Sequence, residues 1–293
     1  MSAREDFVAR AAQQILVFDG GYGTAIQGYK LSEADYRGAL ELTHDQKGNN
    51  DLLSITRPDI VGAIHSAYLE AGADMIETNT FSATKISMAD YGCEHLVRQL
   101  NIESAKLARA CCDAAEAKDG IKRFVAGSIG PTNKTLSLSP DVNDPGYREI
   151  DFDYLKDVYR EQCDALIEGG VDFLLIETIF DTLNAKCAAM AAREAAAACG
   201  RDVPLMISMT ITDMIANGAE NPVTLFLAAL VLGGLHGFEP GHSKTMIAAY
   251  IIAVRGAIGQ ALLLGLSAAI SHSVIVWILA FVAVAYGNEL IGD

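Results

Sequence analysis

The feature that most constrains this chain is a break in composition near residue 213. Residues 214–293 contain only six formally charged side chains, whereas residues 1–213 hold 20 of the 22 Lys and Arg and 33 of the 37 Asp and Glu. A long apolar run with so little charge is typical of a membrane protein, and the first part is typical of a soluble α/β enzyme. The sequence therefore predicts two domains, 1–213 and 214–293.

The first 213 residues are strongly acidic, which argues against a nucleic-acid partner because such a partner requires clustered Lys and Arg. The opening stretch MSAREDFVARAAQQ has no apolar core of a secretory signal, so a cytoplasmic, reducing location is expected for this part. No CxxC pair is present, and six free thiols are expected at Cys93, Cys111, Cys112, Cys163, Cys187 and Cys199.

Short β-branched runs alternate with longer helical patterns along the same 213 residues. Strands are predicted within 15–18, 72–81, 123–131, 171–181 and 203–213. Helices are predicted over 58–72, 86–118, 154–170 and 183–200. This alternation predicts an α/β fold with parallel strands that are buried on both faces.

Polar residues recur at the carboxyl ends of these predicted strands. They are Asp19, Glu77 with Asn79, Ser128, Glu177 with Asp181, and Thr210 with Asp213. In a (β/α)8 barrel that end of the strands carries the active site. A doubly wound sheet is the alternative, but DGGYGT is not the dinucleotide-binding fingerprint GxGxxG and the chain contains no P-loop.

Four long strings occur in order along this part: FDGGYGTAIQ, NNDLLSITRPDIVGAIHSAYLEAGADMIETNTFSAT, VAGSIGPTNKTLSLSPDVNDPGYR and FLLIETIFDTLNAKCA. Over residues 12–213 they resemble the homocysteine-binding module of cobalamin-dependent methionine synthase. The resemblance implies a TIM-type barrel that binds homocysteine. It further implies that the substrate thiol is activated on a zinc ion held by three cysteines, and that methylcobalamin donates the methyl group.

The same resemblance implies that Asp19 and Glu177 contact the amino-acid end of homocysteine. Their carboxylates suit its ammonium group, and the backbone N–H groups of Gly20 and Gly21 can approach its carboxylate because glycine has no side chain. The alternative for Asp19 is a capping or turn aspartate before two glycines.

The zinc cysteines of that family lie in an NC-type turn and a GGCCG-type turn, and neither occurs in this sequence. Cys111 and Cys112 lie in AKLARACCDAAEAK, which predicts a helix interior where adjacent side chains point about 100° apart. No zinc ligand is therefore carried over. The expectation is a barrel truncated after about five βα units, which is poorly stable alone and inactive as a methyltransferase.

The last 80 residues predict an all-α transmembrane segment within 222–286, because 222–238 and 256–286 carry no formal charge. This part is expected in the inner (cytoplasmic) membrane. Ionisable groups at membrane depth are costly and usually functional, and imidazole with carboxylate suits Ni²⁺, Co²⁺ or Zn²⁺. The candidate ligands are His236, Glu239, His242 and His272, with solvated loop histidines as the alternative.

The string HGFEPGHSKTMIAAYIIAVRGAIGQALLLGLSAAISHSVIVWILAF resembles the nickel/cobalt efflux permeases over about 222–283. The resemblance implies that these residues handle transported Ni²⁺ or Co²⁺. Three hypotheses follow: a homocysteine S-methyltransferase module, a fragment of a nickel/cobalt transporter, and a non-functional fusion of two coding regions that meet at Met214. The methyltransferase hypothesis accounts for the larger part of the chain.

Overall fold

The computed structural model of the chain describes residues 2–141, 143–144 and 146–208. The predicted spans within 222–286 and the domain boundary after 213 lie outside these residues, as do the tail candidates His236, Glu239, His242 and His272. Within the described part, no helix is both long and apolar enough to cross a membrane.

The described part is built on a parallel sheet whose strands follow one another in sequence order. The strands are β1 (Met75–Glu77), β2 (Phe124–Ile129), β3 (Phe173–Glu177) and β4 (Leu205–Ser208). A parallel bridge from Phe18 to Met75 places the chain before β1 at the same edge. This unbroken order is that of a barrel, because a doubly wound sheet reverses its strand order at a switch point. The predicted α/β class with parallel strands is confirmed.

Nine α-helices flank these strands in the described residues. They are α1 (Ala3–Ala11), α2 (Tyr22–Gly28), α3 (Glu33–Arg37), α4 (Leu53–Thr56), α5 (Pro58–Glu70), α6 (Lys85–Met88), α7 (Val97–Asp119), α8 (Phe152–Gly169) and α9 (Thr182–Ala198). Their ends follow the sequence. Asp151 and Asp181 accept hydrogen bonds from first-turn backbone N–H groups of α8 and α9, whereas Gly120 and Gly170 end α7 and α8 in the left-handed conformation.

Two predicted elements were wrong in extent. The single helix expected over 86–118 is divided into α6, two 3₁₀ turns (Ala89–Tyr91 and Glu94–Leu96) and α7, because Gly92 is left-handed with φ 64°. The strand expected over 15–18 is reduced to one bridge. Ile15 is 88% exposed, and in the described part only the β1 side of this segment is paired.

The two faces of the sheet pack against different partners, which determines where polar groups can lie. Ile76, Val125, Leu174 and Ile176 point outward into the core formed with the helices. The inner face is apolar near the amino ends of the strands, where Phe124 and Phe173 pack around Phe7 of α1. Further along the same face, at or next to the last residue of each strand, lie Glu77, Ser128 and Glu177, because side chains two residues apart share a face.

Candidate functional site

A cavity of about 810 Å³ opens at the carboxyl ends of the strands. All four predicted site residues of the first domain, Asp19, Gly20, Gly21 and Glu177, line it. The described lining contains no Lys, Arg or His, and its charged side chains are all acidic: Asp19, Asp51, Glu77, Asp90 and Glu177. The cavity therefore has the electrostatic character that attracts a cationic group.

Three of these acids form one cluster, consisting of Asp19, Glu77 and Glu177. The backbone N–H of Glu77 donates to Oδ2 of Asp19 at 2.9 Å, and the hydroxyl of Ser128 donates to Glu177. Glu77 and Glu177 lie close enough for the charge of Glu177 to raise the pKa of the Glu77 carboxyl.

Burial is the main cause of the raised pKa values of Asp19 and Glu77 in this cluster. Burial and the nearby charge of Glu177 raise the pKa of Asp19 to about 7, against a hydrogen bond from the Glu77 backbone N–H. Burial raises the pKa of Glu77 further above its usual range, and Glu177 and Asp19 add to the effect. Near neutral pH the cluster thus holds protons that a bound cation would displace.

Gly20 and Gly21 connect Asp19 to the start of α2. A Cβ atom on Gly20 would lie 3.1 Å from the Tyr68 hydroxyl, so a side chain there would crowd that ring. The absence of a side chain leaves the backbone of this turn on the cavity wall beside Asp19.

The strand-end pattern contained Glu77 and Ser128, but the sequence interpretation assigned neither a binding role. Tyr22 and Asp51 were missed entirely, since neither follows a predicted strand. Asp51 is buried, accepts a hydrogen bond from the Ser82 backbone N–H at 2.9 Å, and has its pKa raised by burial to about 7. No local periodicity in the sequence marks these two positions.

The chain turns sharply directly after β3, next to the cavity. Thr178, the residue after Glu177, has φ 58°, which is the left-handed region that β-branched residues rarely adopt. Its side chain is exposed, and its N–H donates to the Ser208 carbonyl at 3.0 Å. Strained backbone of this kind concentrates at functional sites.

The described residues do not fit a thiolate zinc site. No group of three or more His, Cys, Asp or Glu among them is arranged to hold a metal, and no described residue that lines the cavity is a cysteine. Cys111 and Cys112 lie within α7, as predicted. The Sγ atom of Cys111 lies 3.7 Å from the Gly62 carbonyl and that of Cys112 lies 4.0 Å from the Phe124 carbonyl.

Glu77→Gln is expected to stabilise the fold relative to the parent as pH rises from about 5 to about 8. A carboxyl whose pKa is raised by folding contributes its stability below its unfolded pKa, and this contribution is lost as pH rises through the folded pKa. Glutamine keeps a hydrogen-bond donor and has no charge to bury. The midpoint of thermal unfolding across this pH range is the measurement.

Glu70→Gln is the matched control, because Glu70 is 70% exposed and pairs with the equally exposed Lys118. Its unfolding midpoint should stay parallel to that of the parent at every pH. A Glu77→Gln curve that also ran parallel to the parent would contradict a raised pKa at Glu77.

Comparison with known proteins shows which families the sequence matches. The sequence model described as homocysteine S-methyltransferase matches residues 16–233, and the model described as high-affinity nickel-transport protein (NicO) matches residues 223–291. The first match continues past residue 213, where the sequence resemblance was expected to stop, and the two matches share residues 223–233.

The solved structures with a similar fold include the homocysteine methyltransferase MmuM from Escherichia coli. Its metallated form is 22% identical, with a TM-score of 0.52, 68% of this chain and 64% of that chain covered. Its oxidized form is 23% identical, with a TM-score of 0.51 and coverages of 67% and 63%. This chain therefore spans less than two thirds of the length of those relatives. Since the family match covers most of the sequence, the chain belongs to the homocysteine S-methyltransferase family.

Proposed function

We propose that the cavity at the strand ends binds homocysteine by its amino-acid end. Asp19 and the Glu77–Glu177 pair receive the ammonium group, and the backbone N–H groups of Gly20 and Gly21 receive the carboxylate. The observation that carries the proposal is the cluster of three half-buried carboxylates in a cavity whose described lining has no basic side chain. A cation is what such a cluster binds most favourably.

The size of the cavity fits a binding step that involves more than one small molecule. A volume of about 810 Å³ lies in the range of drug-sized ligand sites, so a bound amino acid leaves room beside it. Homocysteine S-methylation requires a methyl donor to reach the thiol. The open end of the cavity is where such a donor would approach.

Isothermal titration calorimetry with L-homocysteine tests the proposal. The matched probe is 4-mercaptobutanoate, which keeps the thiol and the carboxylate and lacks the amino group. Homocysteine is expected to bind at least about tenfold more tightly, since a hydrogen bond to a charged group contributes about 1.5–3 kcal/mol. Equal binding of the two compounds would refute recognition through the ammonium group.

We further propose that this chain does not by itself transfer a methyl group. The basis is the set of six cysteines, none of which lines the cavity, whereas the family resemblance implies three cysteine ligands for zinc. Purified chain incubated with zinc, homocysteine and methylcobalamin is expected to form no methionine above a protein-free control. Methionine formation together with bound zinc would overturn this.

A second function is proposed for the tail, on the nickel-transport match over 223–291. His236, Glu239, His242 and His272 would bind Ni²⁺ or Co²⁺ as cargo, with the segment 222–286 in the cytoplasmic membrane and the first domain on the cytoplasmic side. Membrane-fraction localisation with Ni²⁺ binding that is lost in His236→Ala and His242→Ala is expected. A soluble product, or Ni²⁺ binding that both variants retain, would contradict it.

We also propose that two coding regions are fused near Met214 and give one product. The intact mass of the native protein, with the DNA sequence across the codons for Asp213 and Met214, tests it. One mass of about 31.2 kDa supports a single fused chain, whereas two separate reading frames contradict it.

A further inference from the structure

Two threonine hydroxyls continue the pairing between β1 and β2 beyond the end of β1. A backbone hydrogen bond from the Thr78 N–H to the Ala126 carbonyl at 2.9 Å comes directly after β1. Further along, the Ser128 N–H donates to Oγ1 of Thr78 at 3.0 Å, and Oγ1 of Thr80 donates to the Ser128 carbonyl at 2.8 Å. The backbone N–H and carbonyl of Ser128 are therefore both fixed by side chains.

The direction of the hydrogen bond between the two threonines follows from counting protons. A hydroxyl carries one proton, and that of Thr80 is donated to the Ser128 carbonyl. In the 2.6 Å bond between the two Oγ1 atoms, Thr78 is then the donor and Thr80 the acceptor. The three hydrogen bonds thus form a closed ring through Ser128, Thr78 and Thr80. All three residues are buried, where such a fully paired ring is rigid.

Helix α8 supports the ring from its own side. Gln162 is completely buried and donates from Nε2 to the Thr80 carbonyl at 2.9 Å and to the Ser128 carbonyl at 3.4 Å. The ring uses only the backbone of Ser128, so its hydroxyl remains available to another partner. That partner is Glu177 on β3, because the Ser128 hydroxyl donates to Oε1 of its carboxylate.

Glu177 is the point at which this network reaches the cavity. It is the last residue of β3, and its half-buried side chain lines the cavity. A glutamate side chain has several rotatable bonds, so a carboxylate without a fixed partner would have to be ordered when a ligand binds. The bond from Ser128 occupies one carboxylate oxygen and leaves the other as an acceptor for a ligand.

We infer that Ser128, held by the hydroxyls of Thr78 and Thr80, is a positioning residue that orients the Glu177 carboxylate toward an ammonium group and so sets the preference for an amino-acid ligand. The inference rests on the proposed function, because homocysteine supplies the ammonium group. Ser128 acts through Glu177: a binding group performs well when its own hydrogen-bond partners fix its orientation in advance.

Ser128→Ala tests the inference in the full chain, by calorimetry near neutral pH with L-homocysteine and 4-mercaptobutanoate. Homocysteine binding is expected to weaken about tenfold, because the released carboxylate must be ordered on binding. Binding of 4-mercaptobutanoate is expected to change by less than about twofold, since it has no ammonium group for Glu177 to meet. A merely structural role would weaken both compounds alike. That result, or no change in either compound, would overturn the inference.

Ser87→Ala is the matched control, because it removes a hydroxyl from the same cavity wall. The Ser87 hydroxyl accepts a hydrogen bond from Thr84 at 3.2 Å instead of contacting a carboxylate. The affinity ratio of the two compounds should stay within about twofold of that of the parent. A fall in the ratio as large as that of Ser128→Ala would overturn the assignment to Ser128.

Thr78→Val and Thr78→Ser test the ring that holds Ser128. Valine keeps the branched shape and removes the hydroxyl, whereas serine keeps the hydroxyl. Thr78→Val should lower the preference for homocysteine in the same direction as Ser128→Ala, and Thr78→Ser should retain it. Equal affinity ratios in these two variants would overturn the role of the ring. If Ser128→Ala does not fold, this pair decides alone.

Crystal structures of the ligand-free parent and of ligand-free Ser128→Ala separate this inference from the proposed function. In the variant, the Glu177 carboxylate is expected to leave the position that it has beside residue 128 in the parent. That displacement supports the positioning role even if the parent binds the two compounds equally, in which case only the proposed function falls. An unmoved Glu177 carboxylate overturns the positioning role whether or not homocysteine binds.

Discussion

Replacing both Glu77 and Glu177 by glutamine is expected to weaken L-homocysteine binding by about 100-fold, and either single replacement by about threefold or less. Burial and the nearby charge of Glu177 raise the pKa of Glu77 to about 8, so we expect the pair to present one negative charge to a ligand near neutral pH. A single substitution leaves the other carboxyl to carry that charge, because its neighbour has become neutral. The double substitution removes the charge and a charge-assisted bond of about 1.5–3 kcal/mol.

Calorimetry near neutral pH on the two single variants and the double variant measures this coupling directly. Asp90→Asn is the matched control, since Asp90 lies on the same cavity wall outside the cluster and accepts a hydrogen bond from Asn133 at 3.0 Å. It is expected to change the affinity by less than about threefold. Single effects that add up to the double effect would show that the two carboxyls act independently of each other. A large effect of Asp90→Asn would mean that general attraction by the acidic wall dominates.

The central strands could be predicted from sequence because parallel strands between helices are continuous apolar runs. The runs 123–131 and 171–181 contain β2 and β3 completely, and the helices predicted after them are α8 and α9. The run 15–18 looks the same locally, yet it pairs through a single bridge. The extent of a strand depends on which chain lies beside it, and a local pattern does not contain that information.

The candidate site was predictable to the extent that strand ends converge. Asp19 and Glu177 are far apart in sequence, and the sheet brings both to one cavity with Glu77 and Ser128. The acids could be found because each follows an apolar run. The hydrogen bond between Tyr22 of α2 and His65 of α5 could not be found in this way, because the sequences of these two helices carry no mark of it. Burial rather than sequence neighbours also sets the raised pKa values, so acidity at neutral pH follows only from the fold.

The two glycines at the end of α8 differ in the same way: the role of one can be predicted from the sequence, and the role of the other is visible only in the structure. The sequence interpretation treats such glycines as helix ends, and Gly170 fits, because it is left-handed with φ 100° and no other atom lies within 4 Å of where its Cβ would be. Gly169 serves a different purpose. A Cβ atom there would lie 2.5 Å from the Ala105 Cβ and 2.8 Å from the Ile102 carbonyl oxygen of α7. Close contact between α7 and α8 therefore requires glycine, and only the packed structure shows it.

Gly169→Ala is accordingly expected to destabilise the fold by about 1–3 kcal/mol, since backbone atoms of α7 cannot move aside as a flexible side chain could. Gly62→Ala is the matched control within α5, because its Cβ would meet only Leu107 and Cys111 at 3.6 and 3.8 Å. There alanine should stabilise the helix by up to about 1 kcal/mol. Urea or thermal unfolding of both variants measures the contrast. If Gly169→Ala matched or exceeded the parent in stability, α7 and α8 would not pack as closely as described, and α8 would have to lie further from α7.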